Sequence, residues 1–287
     1  MSLRIENLTF RYRTPGAAPR PALQDVSLSV EDGEMLALMG PSGSGKTTLM
    51  QHITGLLKPD AGRVLVDGLD VWHPKTDLAR LRRTVGLVFQ FPESQLFEHT
   101  VFDDIAFAAR NQGLAENEVE RRVRDALDRV GLDFETFQGR APFTLSVGEK
   151  RRVALAGILA MQPRCLILDE PTAGLDRNGV EAVIDILRSF HARGGTVILI
   201  SHNPDLVAEL VDRVVVLNQG RIVFDGDTRR LFSRPAWLRE NGLALPRLMP
   251  VVTRLKEQGL LNNNPNTLAE LKRELRKQLE KQPTVES

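Results

Sequence analysis

The sequence predicts an α/β fold in which helices cover a largely parallel β-sheet. Short apolar runs with high β-propensity alternate with longer amphipathic stretches, an order that is typical of βαβ units. The apolar runs read MLALM, VGLVF, CLILD, TVILIS and VVVL. With 287 residues, 42% of them hydrophobic, the chain is long enough for one full α/β domain and a smaller module.

Composition and charge exclude several classes of protein. A formal net charge of +1 gives no global reason to expect binding to nucleic acid or to an anionic membrane. The single cysteine, Cys165, lies in an apolar run and is expected to fill the core. No segment approaches the ~18 consecutive apolar residues of a membrane span, so we expect a cytoplasmic protein that does not cross a bilayer. If it serves a process at a membrane, another chain must supply the pathway.

The order of elements predicts two parts. An edge layer of antiparallel strands is expected at RIENLTFRY and LQDVSLSV, where apolar and polar residues alternate. Residues from about 100 to 162 carry no strand pattern and predict an inserted helical subdomain. After residue 232 several prolines and the NNNPN run interrupt the pattern, which predicts a main α/β domain over 1–232 and a helical C-terminal module over 233–287.

The last predicted helix has two interpretations. Thr267 and Glu270 have the spacing of a capping box, and leucines follow at intervals of three and four residues. The helix either packs on its own module or forms a dimer contact. The leucines concerned are Leu268, Leu271, Leu275 and Leu279.

A phosphate-binding loop is the clearest motif. Residues 40–47 read GPSGSGKT, which matches G-x-x-x-x-G-K-[ST] between a predicted strand and a predicted helix. Glycines let the backbone N–H groups converge on phosphates, Lys46 reaches the β- and γ-phosphates, and the Thr47 hydroxyl is a ligand for Mg²⁺. We expect ATP to contact Gly40, Pro41, Ser42, Gly43, Ser44, Gly45, Lys46, Thr47 and Thr48.

Two adjacent carboxylates end the strand CLILD. Asp169 is expected to hold Mg²⁺, and Glu170, one residue further, to act as the general base that polarises the attacking water. Two further residues follow predicted strands. Gln90 is expected to contact Mg²⁺ and the water, and His202 to steady the water or the charge that develops on the γ-phosphate.

Taken together, these motifs resemble the ATP-binding cassette family. The sequence carries, in the family's order, GPSGSGKT, Gln90, LSVGE at 145–149, CLILDE, AGLD at 173–176 and His202. The resemblance covers residues 1 to about 230 and implies a pair of cassettes, with each ATP held between the P-loop of one chain and the LSVGE segment of the other.

The resemblance also assigns residues outside the P-loop. It implies that Ser146 and the backbone of Gly148 contact the γ-phosphate bound by the partner chain, and that Asp176 lies at the dimer seam. It implies that Tyr12 stacks on adenine, although an aromatic residue of an edge strand would also explain this position. The family's usual signature is LSGGQ, whereas this chain has Val147 and Glu149. The Glu149 carboxylate is expected to weaken nucleotide binding unless Lys150, Arg151 or Arg152 offsets its charge.

A finer resemblance points to the energy-coupling factor importers of cobalt, nickel and vitamins. It rests on FQFPESQLFEHTVFDDIAF at 89–107, on KRRVALAGILAMQP and on the additional C-terminal module. The resemblance implies a transmembrane coupling subunit and a solute-binding membrane subunit as partners. Helices of the coupling subunit would dock on Phe91, Pro92, Leu96 and Phe97, although these residues would also serve to pack the loop.

Other classes remain as alternatives. A cassette ATPase of another importer fits the same motifs. A cassette protein of DNA repair would be expected to carry a long coiled coil or a zinc module between Lys46 and Ser146, and the sequence there has neither sustained heptads nor cysteines. A small-molecule kinase does not explain LSVGE or AGLD.

Overall fold

The computed structural model describes residues 1–13, 15–16, 18–263 and 265–279. The chain forms two compact units, Met1–Met35 with Thr47–Ile200 and Leu36–Lys46 with the chain from Ser201 onward. Each unit contains both strands and helices, so the predicted α/β class is confirmed. Among the described residues no helix combines the length and apolar composition that crossing a bilayer requires.

Strands are numbered in chain order over the described residues. They are β1 (Leu3–Tyr12), β2 (Arg20–Val30), β3 (Met35–Met39), β4 (Ala61–Val66), β5 (Leu69–Asp70), β6 (Val85–Val88), β7 (Cys165–Asp169), β8 (Thr196–Ile200), β9 (Arg213–Asn218) and β10 (Arg221–Asp227).

Helices are numbered in the same way. They are α1 (Lys46–Ile53), α2 (Leu78–Thr84), α3 (Val101–Arg110), α4 (Glu116–Arg129), α5 (Phe134–Phe137), α6 (Val147–Ala160), α7 (Arg177–Ala192), α8 (Pro204–Leu210), α9 (Thr228–Phe232), α10 (Pro235–Glu240), α11 (Met249–Glu257) and α12 (Leu268–Leu279).

The first unit contains the predicted antiparallel layer. Its strands lie in the order β2-β1-β4-β5, and β1 pairs antiparallel with both β2 and β4. Alternate residues of β2 are buried, which is the period of a strand with one face on the core and the other in water. The strands β4 (AGRVLV) and β5 (LD) are short and show no clear alternation of apolar and polar residues, so the apolar pattern alone did not predict them.

A parallel sheet forms the rest of the core of the first unit. β7 pairs in parallel with β6 and with β8, and four of the five residues of β7 are buried. A strand covered on both faces needs such a continuous apolar run, because side chains on both sides enter the core. Cys165 is fully buried in β7, as the sequence predicts.

Helices occupy the chain between β6 and β7 in the first unit. The described residues there contain no strand, which agrees with the helical character predicted from about residue 100 to 162. α4 buries residues at intervals of three and four, Val119, Val123, Ala126 and Leu127, as an amphipathic helix does. Whether this segment is a separate subdomain stays a prediction.

The second unit contains β3 and β9 as parallel neighbours, with β10 antiparallel to β9. Its C-terminal part is helical from α9 onward, and α10, α11 and α12 lie within the range predicted for the C-terminal module, 233–287. Leu271 on α12 packs with Val252 and Leu261, and Leu275 joins this cluster, so α12 does pack on its own module. Leu268 is 57% exposed, and the dimer contact that is the alternative interpretation of this helix remains a prediction. The side chain of Leu279 lies outside the described residues.

The predicted cap of α12 is present with one difference. The Thr267 hydroxyl accepts a hydrogen bond from the backbone N–H of Glu270 at 3.2 Å. The Glu270 carboxylate accepts from the backbone N–H of Asn266 at 2.9 Å, one residue earlier than in a capping box, and it also pairs with Arg229. The first turn of α12 is therefore fixed to α9 as well as capped.

Candidate functional site

The GPSGSGKT loop follows β3 and leads into α1, which begins at Lys46 as predicted. Gly40, Gly43 and Gly45 all have positive φ, at 147°, 77° and 110°, where a side chain would be strained. A Cβ atom on Gly40 would also lie 2.1 Å from the carbonyl oxygen of Leu217. The tight curl of the loop therefore requires glycine.

Two side chains of the loop face its own backbone. The Lys46 Nζ donates hydrogen bonds to the carbonyl oxygens of Gly40 at 2.7 Å and Pro41 at 3.0 Å, so the ammonium group lies across the loop. The Ser44 hydroxyl is buried and has no hydrogen-bond partner among the described residues. An unpartnered buried hydroxyl in a glycine-rich loop fits a site whose ligand brings acceptor oxygens.

Thr47 and Asp169 lie together in the first unit although 122 residues separate them in sequence. The Thr47 hydroxyl donates a hydrogen bond to the Asp169 carboxylate at 3.1 Å, where α1 begins and β7 ends. Hydroxyl and carboxylate oxygens are the ligands that Mg²⁺ prefers, so this pair fits the metal role predicted for both residues.

Glu170 is held in an unusual backbone conformation. Its φ of 49° lies in the left-handed region, which a non-glycine residue adopts only when its surroundings impose it. The Glu170 backbone N–H donates to Ile200 at 2.9 Å, and its carbonyl accepts from Ala173 at 3.1 Å. The residue is 8% exposed, so a predicted general base is here fixed in place and largely shielded from water.

Tyr12 ends β1 beside the first turn of α1. Its hydroxyl is hydrogen-bonded to the hydroxyl of Thr48 at 3.1 Å, and its ring packs edge-on against Phe10 at 5.1 Å. The tyrosine is 43% exposed, which leaves one part of the ring open for stacking. Thr48 itself is buried, and the role visible for its hydroxyl is to position Tyr12.

The signature segment begins α6. Ser146 is the N-cap residue, and Glu149 completes a capping box by accepting hydrogen bonds from the backbone N–H and the hydroxyl of Ser146, each at 2.8 Å. These bonds, with Arg140 and Arg152 nearby, hold the pKa of Glu149 below its usual value. Arg140 is the residue paired with the carboxylate, at 3.7 Å.

An open groove adjoins the signature. It has a volume of about 520 Å³ and is lined by both the signature and the segment that follows AGL, including Ser146, Gly148 and Asp176. The Asp176 carboxylate accepts a hydrogen bond from Gly179 at 2.8 Å and so caps α7. The structure thus brings three of the predicted site residues to one groove.

Gln90 and His202 were predicted from their positions after strands. Gln90 is exposed and lies two residues beyond the end of β6. His202 is exposed and lies two residues beyond the end of β8, just before α8. Their contacts with water and phosphate remain predictions.

Comparison with known proteins identifies the family. A family model described as ABC transporter matches residues 23–173, just over half of the chain. The chain belongs to the ABC transporter family. The match runs from β2 through the P-loop and the signature to the turn after β7, and the chain is an ABC ATPase, an enzyme that binds and hydrolyses ATP.

Named relatives of this ABC ATPase narrow the group. An energy-coupling factor transporter ATP-binding protein, EcfA2 of Symbiobacterium thermophilum, is 54% identical over 238 residues, which cover 83% of this chain and 82% of the relative. A solved structure of cbiO1 from Clostridium perfringens, described as part of the ABC transporter complex cbiONQ, is 37% identical. It has a TM-score of 0.75 and covers 89% of this chain and 98% of that chain.

A third comparison concerns assembly. The cassette MJ0796, solved as a dimer in a post-hydrolysis state with ADP and Pi, is 28% identical with a TM-score of 0.71. The match covers 79% of this chain and 98% of that chain. Its fold is thus shared over most of this ABC ATPase.

In the loop after Gln90, only part of the predicted docking surface is exposed. Phe91 and Phe97 are 48% and 56% exposed, as a docking surface needs, but Pro92 and Leu96 are buried and pack the loop instead. The sequence pattern missed Phe107 on α3, which is 45% exposed and packs edge-on against Phe97 with a 5.0 Å centroid distance.

A buried ion pair was also missed. Arg151, on α6, is 1% exposed and makes two hydrogen bonds to the Glu93 carboxylate, at 3.1 and 3.0 Å. From its position in the sequence, Arg151 is expected only as a counter-charge for Glu149. The structure corrects that expectation, because the guanidinium is engaged elsewhere and Arg140 pairs with Glu149 instead.

Proposed function

We propose that this chain is the ATP-hydrolysing subunit of an energy-coupling factor importer and acts as one of two cassettes at the cytoplasmic face of the membrane. The proposal is supported by the names of its relatives and carried by one observation, the hydrogen bond from Thr47 to Asp169 beside Glu170. This contact joins the start of α1, the helix after the P-loop, to the C-terminal end of β7, where the two carboxylates lie. Phosphoryl transfer to water needs such an arrangement.

The first step is capture of the triphosphate. The curled backbone of the loop presents N–H groups to the phosphates, and Lys46 leaves part of its bonding to Gly40 and Pro41 to neutralise phosphate charge. The unpartnered Ser44 hydroxyl gains an acceptor. Tyr12 stacks on the base, since its ring is partly open and its hydroxyl is fixed by Thr48.

The second step is attack by water. Mg²⁺ bound at Thr47 and Asp169 would neutralise charge on the phosphate oxygens. Glu170, fixed by its backbone hydrogen bonds, orients the water and accepts its proton. Gln90 contacts the same water from the loop after β6, and His202 stabilises the charge that develops on the γ-phosphate.

The third element of the proposal is a head-to-tail pair. The groove of about 520 Å³ beside Ser146, Gly148 and Asp176 receives the nucleotide that the partner's P-loop holds. Ser146 lies at the N-terminus of α6, where N–H groups and the helix dipole favour an anion. Each chain then contributes a P-loop to one site and a signature to the other.

Docking on the membrane subunits uses the exposed aromatic residues. Phe91, Phe97 and Phe107 present apolar surface near the end of β6, and such surface fits a short helix of a transmembrane coupling subunit. A second membrane subunit selects the solute, a cobalt or nickel ion or a vitamin. The helical module over 233–287 contributes to pairing through the exposed Leu268.

A complementation assay tests the paired arrangement. Lys46→Ala removes the P-loop cation, and Ser146→Arg blocks the signature groove, so each variant alone should release phosphate at least about 100-fold more slowly than the parent chain. Mixing the two recreates one intact site, formed by the P-loop of the Ser146→Arg chain and the signature of the Lys46→Ala chain. We expect the mixture to regain a substantial part of the parental rate.

The controls are matched by residue type. Lys58→Ala removes another exposed lysine close to α1, and Ser146→Thr keeps a capping hydroxyl. Both should remain active. A mixture as inactive as its components, with ATP bound normally by the Ser146→Arg chain, would contradict the head-to-tail pair.

A further inference from the structure

Arg151 makes hydrogen bonds to two separate segments of the first unit. Besides its bonds to Glu93, the guanidinium donates to the carbonyl oxygens of Pro171 at 3.1 Å and Ala173 at 2.7 Å. Both carbonyls belong to the turn that directly follows Glu170. One buried side chain therefore contacts the loop after Gln90 and the backbone next to the proposed base.

The turn after Glu170 needs such support. The left-handed φ of Glu170 is costly for a side chain with a Cβ, and it persists only where several contacts impose it. Hydrogen bonds to Ile200 and from Ala173 supply two of these contacts. Arg151 supplies two more, on carbonyls one and three residues beyond Glu170, so its position bears on where the carboxylate points.

The loop after Gln90 is held by the other side of the same guanidinium. Glu93 lies in the 3₁₀ turn Pro92–Gln95, and its two oxygens accept the two bonds from Arg151 in the fork arrangement. Phe91 lies with its ring 5.9 Å from the guanidinium and has a left-handed φ of 58°. A shift of this turn must therefore move Arg151 or break its bonds.

We propose that Arg151 is a positioning residue that couples the loop after Gln90 to the backbone that sets Glu170. A conformational change at Glu170 on nucleotide binding is transmitted through the guanidinium to the loop after Gln90. In the opposite direction, a partner helix bound to that loop shifts the turn after Glu170. The proposal rests on the role assigned to Glu170 and adds the route by which the docking surface and that residue communicate.

The route requires arginine rather than a generic cation. A guanidinium has five donors in a planar fork, which allows it to bond one carboxylate twice and still reach two carbonyls. A lysine keeps the charge that neutralises Glu93, but its single ammonium group cannot reach all four acceptors. Lysine is thus the variant that separates a structural role from a positioning role.

Steady-state kinetics give the first test. In Arg151→Lys we expect a melting temperature close to that of the parent, a KM for MgATP within about twofold, and a kcat lower by about 10-fold or more, because the base is misplaced while binding is kept. Arg151→Met should lose stability as well, since the largely covered Glu93 carboxylate, 16% exposed, then loses its partner. Parental kcat in a folded Arg151→Lys chain would overturn the proposal.

A fluorescence measurement gives the second test. The single natural cysteine is buried, and burial raises the pKa of the Cys165 thiol to about 12, so a Ser94→Cys chain can be labelled at the docking loop alone with an environment-sensitive dye. MgATP should change the emission of the labelled parent. With Arg151→Lys or Glu93→Gln added, we expect ATP binding without that change.

The outcomes distinguish this proposal from the proposed function. Equal emission changes with and without Arg151, or no change in the parent chain, would contradict the coupling while leaving ATP hydrolysis and pairing untouched. Failure of the complementation between Lys46→Ala and Ser146→Arg would instead contradict the paired arrangement and leave the emission change as predicted.

Discussion

The Glu149 carboxylate accepts hydrogen bonds from both the backbone N–H and the hydroxyl of Ser146, each at 2.8 Å. The hydroxyl proposed to contact the partner's γ-phosphate therefore already donates to an anion. A phosphate at this position must compete with the carboxylate and approach its charge. Glu149 therefore completes the capping box of α6 and at the same time disfavours the phosphate contact proposed for Ser146.

Glu149→Gln should lower the KM for ATP. The amide oxygen keeps the cap but removes the negative charge, so we expect KM for ATP to fall about 3- to 10-fold, which corresponds to about 1 kcal/mol. Phosphate release over a range of ATP concentrations measures this. Glu149→Ala, which loses the cap as well, is the comparison that should lower stability. An unchanged KM in Glu149→Gln would show that the carboxylate does not face the nucleotide.

The exposed aromatic pair beside the loop after Gln90 should be needed for assembly and not for chemistry. Phe97→Glu combined with Phe107→Glu places two charges on surface that a docked helix would desolvate. We expect at least about a tenfold loss of co-purified membrane subunits and near-parental phosphate release by the isolated chain.

The control for this variant is Leu69→Glu. Leu69 is 69% exposed on the antiparallel layer of β1, β2, β4 and β5, so its replacement adds a charge to a different apolar position. It should co-purify normally. If the double phenylalanine variant also co-purified and supported uptake, the docking surface would lie elsewhere. Leu96 is not suitable for this test because it is buried and its replacement would disturb the fold.

The motifs of the P-loop and of β7 allowed their part of the site to be predicted from sequence. Each is a short run whose glycine, lysine or carboxylate positions are set by local geometry, and parallel strands end at a shared edge. The pairing of Arg151 with Glu93 could not be predicted in this way. KRR at the start of a helix is typical of a solvated face, and only the packing of α6 buries one of the three charges.

Burial also decided between the two interpretations of the docking loop. Phe91, Pro92, Leu96 and Phe97 are all apolar, and the sequence gives no period in so short a loop. In the structure the 3₁₀ turn directs Pro92 and Leu96 inward and leaves the two phenylalanines outside. The strands β4 and β5 were missed for a related reason, since AGRVLV and a two-residue strand are too short to show an alternation of apolar and polar residues.

His52 should make stability depend on pH. Burial holds the pKa of His52 below its ordinary value, although the hydrogen bond to the carbonyl of Thr48 acts in the opposite direction. Its Nε2 is buried without a partner among the described residues, so protonation would bury an unpaired N–H. Below about pH 6.5 the unfolded chain takes up a proton that the folded chain does not, and the free energy of unfolding falls as the pH drops.

The check is thermal unfolding at about pH 7.5 and about pH 5.5. In His52→Gln the drop in melting temperature between the two conditions should be smaller than in the parent. His73→Gln, which replaces an exposed histidine, should keep the parental drop. A His52→Gln chain with an undiminished drop would assign the pH dependence to other groups.

Glu170→Gln separates the role of Glu170 as the base from the binding of ATP by the paired chains. The amide keeps the shape of the side chain and leaves the Thr47–Asp169 pair in place, so MgATP should still bind and bridge two chains. Loss of the base should slow hydrolysis by about 10² to 10⁴-fold. The measurement is size-exclusion chromatography with MgATP alongside a phosphate-release assay. We expect a stable dimer with ATP retained and almost no phosphate released. A chain that stays monomeric with bound ATP, or one that hydrolyses at the parental rate, would contradict it.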